Sequence, residues 1–569
     1  MEEEASKMRL FFYIVFHAMN YIQREWHIKD STDISVKEKL LRSRGIDENM
    51  TEKFLSPSLS DLSDPFLFKD MQKAVGRVKQ AIKNKERIVV FGDYDVDGVT
   101  GTAILVRTLL KLGTMVSYRL PHRVQDGYGL KKHFIDDIHE KNVRLLITVD
   151  NGIASFKEIS YANEKGIDVI ITDHHSVPEN IPPALAMVHP KKEGEQYPFK
   201  HLSGSGVAFM FAKALMREIG KDVDDHFCHE MLDVVMLGTI ADCVPLIGEN
   251  RILAWHGLRQ LPHTTHTGLE HLMQIAGVNK EKIDTHTIEY IIAPRLNAGG
   301  RMATALDALH LFLFDDGKGK ELAQKLQGLN SNRQLETQKI FEEAEIKLER
   351  EKNGKVIVLE GDWHIGVIGI VASKLAEKYN LPTIILGKKG ESYVASCRSD
   401  GRTNIIELLS HFKEYFLHYG GHEGAAGFDI LQEKYDQFKK EILLFTKDST
   451  QKQVDALPLF IETSLSGKDI SWDLIHFIEQ MAPYGESNPE PLFLVEQAVV
   501  QDVRLVGNDK HIKFFLQKDR TILEAIAFHA PSDWKHITVG QQINMAGKLE
   551  KNEFNGKAKI NMVVEDIKP

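Results

Sequence analysis

The segment GDYDVDG places Asp93, Asp95 and Asp97 at alternate positions directly after the apolar run RIVVF (87–91). Side chains two apart in extended backbone point the same way, so the carboxylates share one edge. They repel one another unless something positive lies between them, and hard divalent cations such as Mg2+ or Mn2+ prefer oxygen ligands. For the triplet alone, an acidic turn at a helix start, with Gly98 opening the helix, is a competing reading. Two later runs repeat the arrangement: VRLLITV (143–149) leads into Asp150-Asn151-Gly152, and DVIIT (168–172) into Asp173-His174-His175. Asp242, in GTIADCVPL, follows a helical stretch. Carboxylates and imidazoles recurring after successive strands predict one metal-dependent site.

Positioning these residues requires a sheet whose strand ends converge. Short apolar runs alternate with amphipathic stretches from residue 87: strands at 87–91, 115–120, 143–149 and 167–172, and a helix over Val99–Leu112. That alternation predicts an open α/β domain with a parallel sheet, in which ligands sit beyond the carboxyl ends of the strands. Leu202–Ile219 and His226–Ile240 have helical spacing, and the charged stretch Lys318–Lys352 predicts one long exposed helix joining two lobes. Strands at 355–361, 381–386 and 393–397, with helices over Ile368–Lys378 and Ile405–Tyr419, predict a second α/β domain to about residue 450. From Pro458 onward the chain is strand-like with turn signals such as Asn555-Gly556, the pattern of a small OB-type barrel, a common binder of single strands. The expected division is an N-terminal extension and leader segment (1–70), a catalytic domain (71–310), a connecting helix (311–352), a second domain (353–450) and a barrel (451–569).

The 569 residues exceed what one hydrophobic core organises, which fits several domains. A formal net charge of −10 argues against coating nucleic acid by bulk charge, so any such site is a local basic groove. Cys228, Cys243 and Cys397 are far apart and form no CxxC pair, so neither a zinc knuckle nor a disulfide framework is indicated, which fits a reducing, cytoplasmic compartment. Leu10–Phe16 is too short to span a bilayer and follows MEEE rather than a basic segment, so it reads as a buried helix turn, with a signal peptide as the alternative, and no membrane partner is expected. Met8 offers an alternative start, which would make the first residues an extension without function.

GDYDVDG, TVDNG, TDHH and GTIADCVPL resemble, in order and spacing, the four motifs of the DHH phosphoesterase family. PHRVQDGYGL (121–130), PRLNAGGR (294–301), WHIGVIGIVAS (363–373), SCR (396–398) and GGHEGAAG (420–427) extend the resemblance to the family's RecJ branch. GGHEGAAG marks the DHH-associated domain, and APYGESNPEP (482–491) and NEFNG (552–556) resemble that branch's OB domain. The resemblance runs from about residue 22 to the end.

It implies a single-stranded-DNA-specific 5′→3′ exonuclease that uses two divalent cations, Mn2+ or Mg2+, releases mononucleotides and works in DNA repair and recombination beside a helicase and a single-strand-binding protein. Asp97, Asp150, His174 and Asp242 are then one cation's ligands, and Asp95 with the shared Asp150 hold the other. Phe91 stands where some members carry a ligating histidine, a gap for Asp93 or water to fill. His175 sits beside the metals, contacting the scissile phosphate or orienting a ligand, with a structural histidine as the alternative. Arg123, Ser396, Arg398 and the Gly421-His422 turn are implied as a 5′-phosphate pocket, with a surface ion pair as the alternative for Arg398. Arg295 and Arg301 would bind the following phosphates, while Gly299 and Gly300 either let backbone approach the strand or make a turn. Phe514, Phe515 and Phe554 are base-stacking candidates against a core role. Ile365, where proline is common, leaves the shape of the Trp363-His364 turn open.

Two other functions compete. Smaller members of the family act on very short oligonucleotides, nucleoside bisphosphates or pyrophosphate, but they lack the barrel. A non-catalytic DNA-binding scaffold would have no need of the full set Asp95, Asp97, Asp150, His174 and Asp242.

Overall fold

The computed structural model describes residues 24–29, 34–220, 226–314, 317–351, 354–448, 457–554 and 556–568. Leu10–Phe16, Met8 and the turn residue Asn555 lie outside them. The chain forms two compact units: Ser63–Val244 with His256–Gln451, and Met1–Leu62 with Pro245–Trp255 and Lys452–Pro569.

The first described strand, β1 (Arg24–Ile28), belongs to the smaller unit. The larger unit opens with a parallel sheet of β2 (Arg87–Gly92), β3 (Met115–Arg119), β4 (Val143–Val149), β5 (Asp168–Thr172) and β6 (Ala186–Val188), in the spatial order β3-β2-β4-β5-β6. The chain leaves β2 for one edge and returns to β4 on its other side, so the strand order reverses between β2 and β4. Connections there run to opposite faces and open a crevice at the carboxyl ends. The helix after β2, Val96–Lys111, is buried over most of its length, with Val99, Ala103, Ile104 and Leu105 at or below 2% exposure.

The second sheet has the order β10-β11-β9-β8-β7, built from β7 (Ile357–Gly361), β8 (Thr383–Lys389), β9 (Ser392–Arg398), β10 (Phe416–Gly421) and β11 (Ala425–Leu431). Here the expected helix over Ile405–Tyr419 is corrected. The helix stops at Ser410 and Phe416–Gly421 is an edge strand. Phe416 stacks on Phe428 at 4.1 Å across the β10–β11 hairpin, a cross-strand contact that overrides the local helical spacing. Gly299 and Gly300 lie inside the helix Ala293–Met302 rather than in a turn. At Gly300 a Cβ would come within 2.6 Å of the Tyr94 carbonyl, so the residue permits a close approach to the GDYDVDG loop.

The long helix spans Gly319–Glu351, 33 residues. It is not exposed along its length as expected: Ala323, Leu326, Asn330, Thr337, Ile340, Phe341 and Ala344 form a buried stripe at intervals of three, four and seven. The stripe packs on the helices Ala293–Met302 and Ile365–Tyr379, while its charged residues hold the outer face.

In the smaller unit, β12 (Phe493–Val506), β13 (His511–Lys518), β14 (Thr521–Ala527), β15 (Gln542–Phe554) and β16 (Lys557–Lys568) close into a five-stranded barrel through pairing of the first with the fourth. Phe514, Val500, Leu516 and Met545 fill it, joined by Leu474, Ile475 and Phe477 of the helix Trp472–Gln480 and by Leu40. APYGESNPEP is structural here: Arg251 donates to the Ala482 and Pro483 carbonyls, and Arg44 Nε to Asn488 Oδ1 at 2.9 Å.

Candidate metal centre

The crevice between β2 and β4 is where the acidic residues meet. Asp93, Asp95 and Asp97 follow β2, Asp150 follows β4, and His174 and His175 follow β5. Asp242 caps the end of the helix Leu232–Ala241. Asp150 holds φ at 60°, a conformation L-residues adopt at a cost of about 1–3 kcal/mol. The first motif also serves as a helix start, because Asp95 caps the helix Val96–Lys111 by accepting from Gly98 N at 3.1 Å. Asp93 and Asp97 have no such role.

His174 Nε2 lies 3.2 Å from Asp150 Oδ1, 3.5 Å from Asp242 Oδ2 and 3.9 Å from Asp97 Oδ2. Asp97, His174 and Asp242 have ligand atoms within 4.8 Å of one another; so do Asp93, Asp95 and Asp150, and Asp150, His174 and His175. Asp93 Oδ1, Asp150 Oδ1 and His174 Nε2 are buried without a hydrogen-bond partner. Three ligating atoms left unsatisfied where water is excluded are costly unless a cation completes them, so this donor set fits hard divalent ions. Phe91 points away, packed edge-on against Phe134 in an apolar cluster.

Burial, then mutual repulsion with Asp97 and Asp95, holds Asp150 well above the carboxylate range, and Asp93 is raised by burial and Asp95. Burial and the neighbouring carboxylates push Asp242 up to about 9. Burial lifts Asp97 only to about 6, because both its oxygens accept backbone bonds, from Gly204 N at 2.6 Å and Ser205 N at 2.9 Å. Burial lowers His174 to about 3, which leaves it a neutral imidazole fit to ligate. His175 is raised to about 9: burial opposes this, but the bond from Nδ1 to Asp173 Oδ1 at 2.8 Å overrides it. Despite burial, that bond and the Ile153 amide keep Asp173 below its ordinary value.

Arg123 lies over the Tyr94 ring at 4.0 Å. Arg398 donates from Nε to Ser373 Oγ and from Nη1 to Ser396 Oγ, each at 3.1 Å, so it is not in a surface ion pair. Arg301 donates to the Gly366 carbonyl, at the start of the helix Ile365–Tyr379. Burial, then the nearby Arg123, Arg333 and Arg398, lowers Arg301 to about 9. His364 caps that helix by accepting from Gly366 N at 3.1 Å, so the turn forms with Ile365 at its first helical position. Gly421 has φ 146° and a Cβ there would lie 2.4 Å from the Ala425 carbonyl, so glycine is required; its strand is two removed from Ser396 and Arg398. Arg295 is apart from this group: it is 3% exposed and donates to Gln327 Oε1 and the Ile291 carbonyl.

Several residues outside the expected ligand set support the cluster. Gly204 and Ser205 hold Asp97, Asp173 holds His175, and Tyr128 donates to the Asp150 carbonyl at 3.3 Å. At Gly204 a Cβ would sit 2.5 Å from Asp150 Oδ1. The signal for it was SGSG, an N-cap serine followed by small residues at a helix start.

Family models match three stretches: "DHH family, N-terminal domain" over residues 87–239, "DHHA1 domain" over 353–448 and "RecJ OB domain" over 461–566. The single-stranded-DNA-specific exonuclease RecJ of Bacillus subtilis is 37% identical over 535 residues, covering 93% of this chain and 67% of the relative. The protein of the same name from Haemophilus influenzae is 33% identical over 556 residues, 94% of this chain and 96% of the relative. The crystal structure of RecJ with Mn2+ from Thermus thermophilus superposes with a TM-score of 0.81 at 28% identity, covering 96% of this chain and 80% of that one. With the three domain types matched and a third of the residues shared along nearly the whole of a relative, the chain belongs to the RecJ family.

Proposed function

We propose that the chain is a metal-dependent exonuclease that hydrolyses single-stranded DNA from its 5′ end to mononucleotides, in DNA repair and recombination. The observation that carries this is the crevice where seven carboxylate and imidazole side chains meet with three buried ligating atoms unpartnered. Relatives named single-stranded-DNA-specific exonucleases and a related structure holding Mn2+ support it. Asp97, Asp150, His174 and Asp242 would hold one cation. Asp95, the shared Asp150 and Asp93, in place of the histidine absent at Phe91, would hold the other.

Bound as a pair, Mn2+ or Mg2+ supplies Lewis acidity and a low-pKa water, so no Ser or Cys nucleophile is needed. The chain's residues do the rest. His175, kept protonated at neutral pH by Asp173, offers Nε2–H to a phosphate oxygen beside the carboxylate cluster. Arg123, Ser396, Arg398 and the Gly421-His422 turn would take the 5′-phosphate; Arg398 is pre-organised by two serine hydroxyls. Arg301 would bind the next phosphate. Arg295, committed to Gln327 and Ile291, would hold its helix in place and add charge from behind.

Residues 71–310 would act as the catalytic domain, 311–352 as the connecting helix, 353–450 as the end-recognising domain and 451–569 as the single-strand-binding barrel, with the N-terminal 1–70 as an extension and leader. A helicase supplying unwound strand and a single-strand-binding protein are the partners this chemistry calls for, in the cytoplasm. Among the described residues no helix is long and apolar enough to cross a membrane.

The test is digestion of single-stranded DNA labelled at either end, with Mn2+, beside Asp150→Ala and a blunt duplex. Mononucleotides released from the 5′ end only, and absent with the variant and the duplex, are expected. Binding without cleavage would leave a scaffold; cleavage of dinucleotides alone would leave a small-substrate phosphodiesterase.

A further inference from the structure

β5 ends at Thr172, so the sheet ladder no longer holds His174 and His175, which lie in neither helix nor strand. Such a segment keeps its shape only through the bonds its backbone makes. Here side chains supply all of them. Asp173 Oδ1 accepts from the amides of His174 and His175 at 2.7 and 3.1 Å. Lys191 Nζ donates to the His174 carbonyl at 2.6 Å, and His189 Nε2 to the His175 carbonyl at 3.0 Å. Both amides and both carbonyls are thereby gripped.

The two carbonyl donors come from one turn. β6 pairs in parallel with β5, Thr172 opposite Val188, so the chain leaving this edge strand runs beside the chain leaving β5. His189 and Lys191 flank Pro190 in that exit, and the proline ring restricts its backbone. The Lys191 amide donates to His189 Nδ1 at 3.1 Å, which puts the imidazole proton on Nε2, the atom facing the His175 carbonyl. Burial keeps this imidazole neutral by lowering it to about 4, and the residue is fully buried, so water does not compete for the bond. Lys191 instead reaches in from the surface. Its ammonium is close enough to act on Asp173 and Asp242, but among the described residues it pairs with no carboxylate and is spent on the carbonyl of His174.

We propose that His189 and Lys191 are positioning residues of the metal centre, acting through the two carbonyls to aim the imidazoles of His175 and His174. Fixing a peptide plane fixes the direction in which the adjoining side chain leaves the backbone. His174 Nε2 has to meet Asp97, Asp150 and Asp242 at one point, and a tilt of its backbone carries the ring away from all three. The same holds for His175, whose free nitrogen has to face an arriving phosphate oxygen. Neither His189 nor Lys191 touches metal or substrate. This rests on the metal-site reading of His174 and His175 and is independent of the end from which a strand is cleaved.

The test compares His189→Leu and Lys191→Met, with the donor-keeping His189→Gln and Lys191→Arg, against the wild-type chain. Mn2+ binding is followed by titration calorimetry, beside the melting temperature in chelator and kcat and KM at saturating Mn2+ on a 5′-phosphorylated single strand. H189L and K191M are expected to weaken Mn2+ binding by about 10–100-fold, the range for residues that orient ligands, and to lower kcat more than they raise KM. H189Q and K191R should recover most of the affinity, because a donor remains at each carbonyl. K191M changes a side chain that enters from the surface, so it decides the matter even where H189L fails to fold. Wild-type Mn2+ affinity and kcat in K191M, with only a lower melting temperature, would assign the turn to folding. Losses as large in K191R as in K191M would show that the donor is not what matters. Either result overturns the proposal. A wild-type chain that binds Mn2+ but cleaves nothing would sink the exonuclease reading while calorimetry still decides the role of the turn; one that binds no Mn2+ would sink the metal site and this proposal with it.

Discussion

Asp150 concentrates the demands on the metal site. It ends β4 in a left-handed conformation, carries a buried oxygen without a partner, and is approached so closely by Gly204 that no Cβ fits between them. Gly204→Ala should therefore displace the carboxylate and weaken Mn2+ binding by about 10–100-fold, the range for disturbed ligand supports, as measured by titration calorimetry. Wild-type affinity in the same variant would show that Asp150 relaxes freely. The raised carboxyls also fix a pH dependence. A carboxyl with a raised folded pKa favours the folded state while it is protonated; that contribution is complete below about 4 and is lost as pH climbs through the folded value. Asp97 titrates at about 6 and Asp242 at about 9, so in chelator the melting temperature should fall between pH 5 and 9, and Asp242→Asn should flatten the upper part of that slope. Mn2+ should reverse the trend, because cations displace protons from the same oxygens more easily as pH rises. A melting temperature independent of pH in chelator would contradict the burial that raises these groups.

At the scale of elements, the long helix carries the argument from composition to packing. Its charged residues gave the appearance of full exposure, yet Ile340 and Phe341 join Leu359, Trp363 and Val367 in a closed core while Leu335 is 71% exposed. Ile340→Ala should cost about 2–5 kcal/mol in denaturant unfolding, and Leu335→Ala should stay within about 0.5 kcal/mol. Comparable losses at both would mean that the helix has no preferred face. The same helix places Gln327 against Arg295 of the helix Ala293–Met302, so its register decides how that arginine is held as well as how the core closes.

For the whole molecule, a net charge of −10 coexists with arginines close enough to act on one another, Arg123, Arg333 and Arg398 about Arg301, and these two facts act at different ranges. The net negative charge should slow the approach of DNA at low ionic strength, while phosphates held at the proposed arginines would still release counterions, so affinity for a single strand should fall with salt. In the smaller unit, the neighbouring residues Phe514 and Phe515 have opposite fates. Phe514 is fully buried in the barrel, which corrects its stacking candidacy, whereas Phe515 is partly exposed between Arg504 and Lys513, at 5.1 and 5.2 Å from the ring centre. The side chain of Phe554 lies outside the described residues. Phe514→Ala should cost about 3–5 kcal/mol of stability, and Phe515→Ala should spare stability while weakening single-strand binding by about 1–3 kcal/mol. Unfolding and binding titrations on both variants separate the two roles; an unaltered affinity in F515A would remove the stacking platform.

The sequence by itself determined the parts that depend on short range. Apolar runs followed by GDYDVDG, TVDNG and TDHH declare strands and what stands at their ends, because alternation and turn chemistry are encoded within a few residues. The catalytic sheet, the barrel and the cluster of Asp93, Asp95, Asp97, Asp150, His174, His175 and Asp242 were legible for that reason. Only the tertiary structure decided which atoms are satisfied. Asp97 is held by amides more than a hundred residues away, Arg295 is spent on Gln327 while Arg333 keeps an unpartnered nitrogen, and Phe416–Gly421 becomes a strand by pairing with β11. Burial and pairing are properties of what surrounds a residue in space, and no local pattern records them.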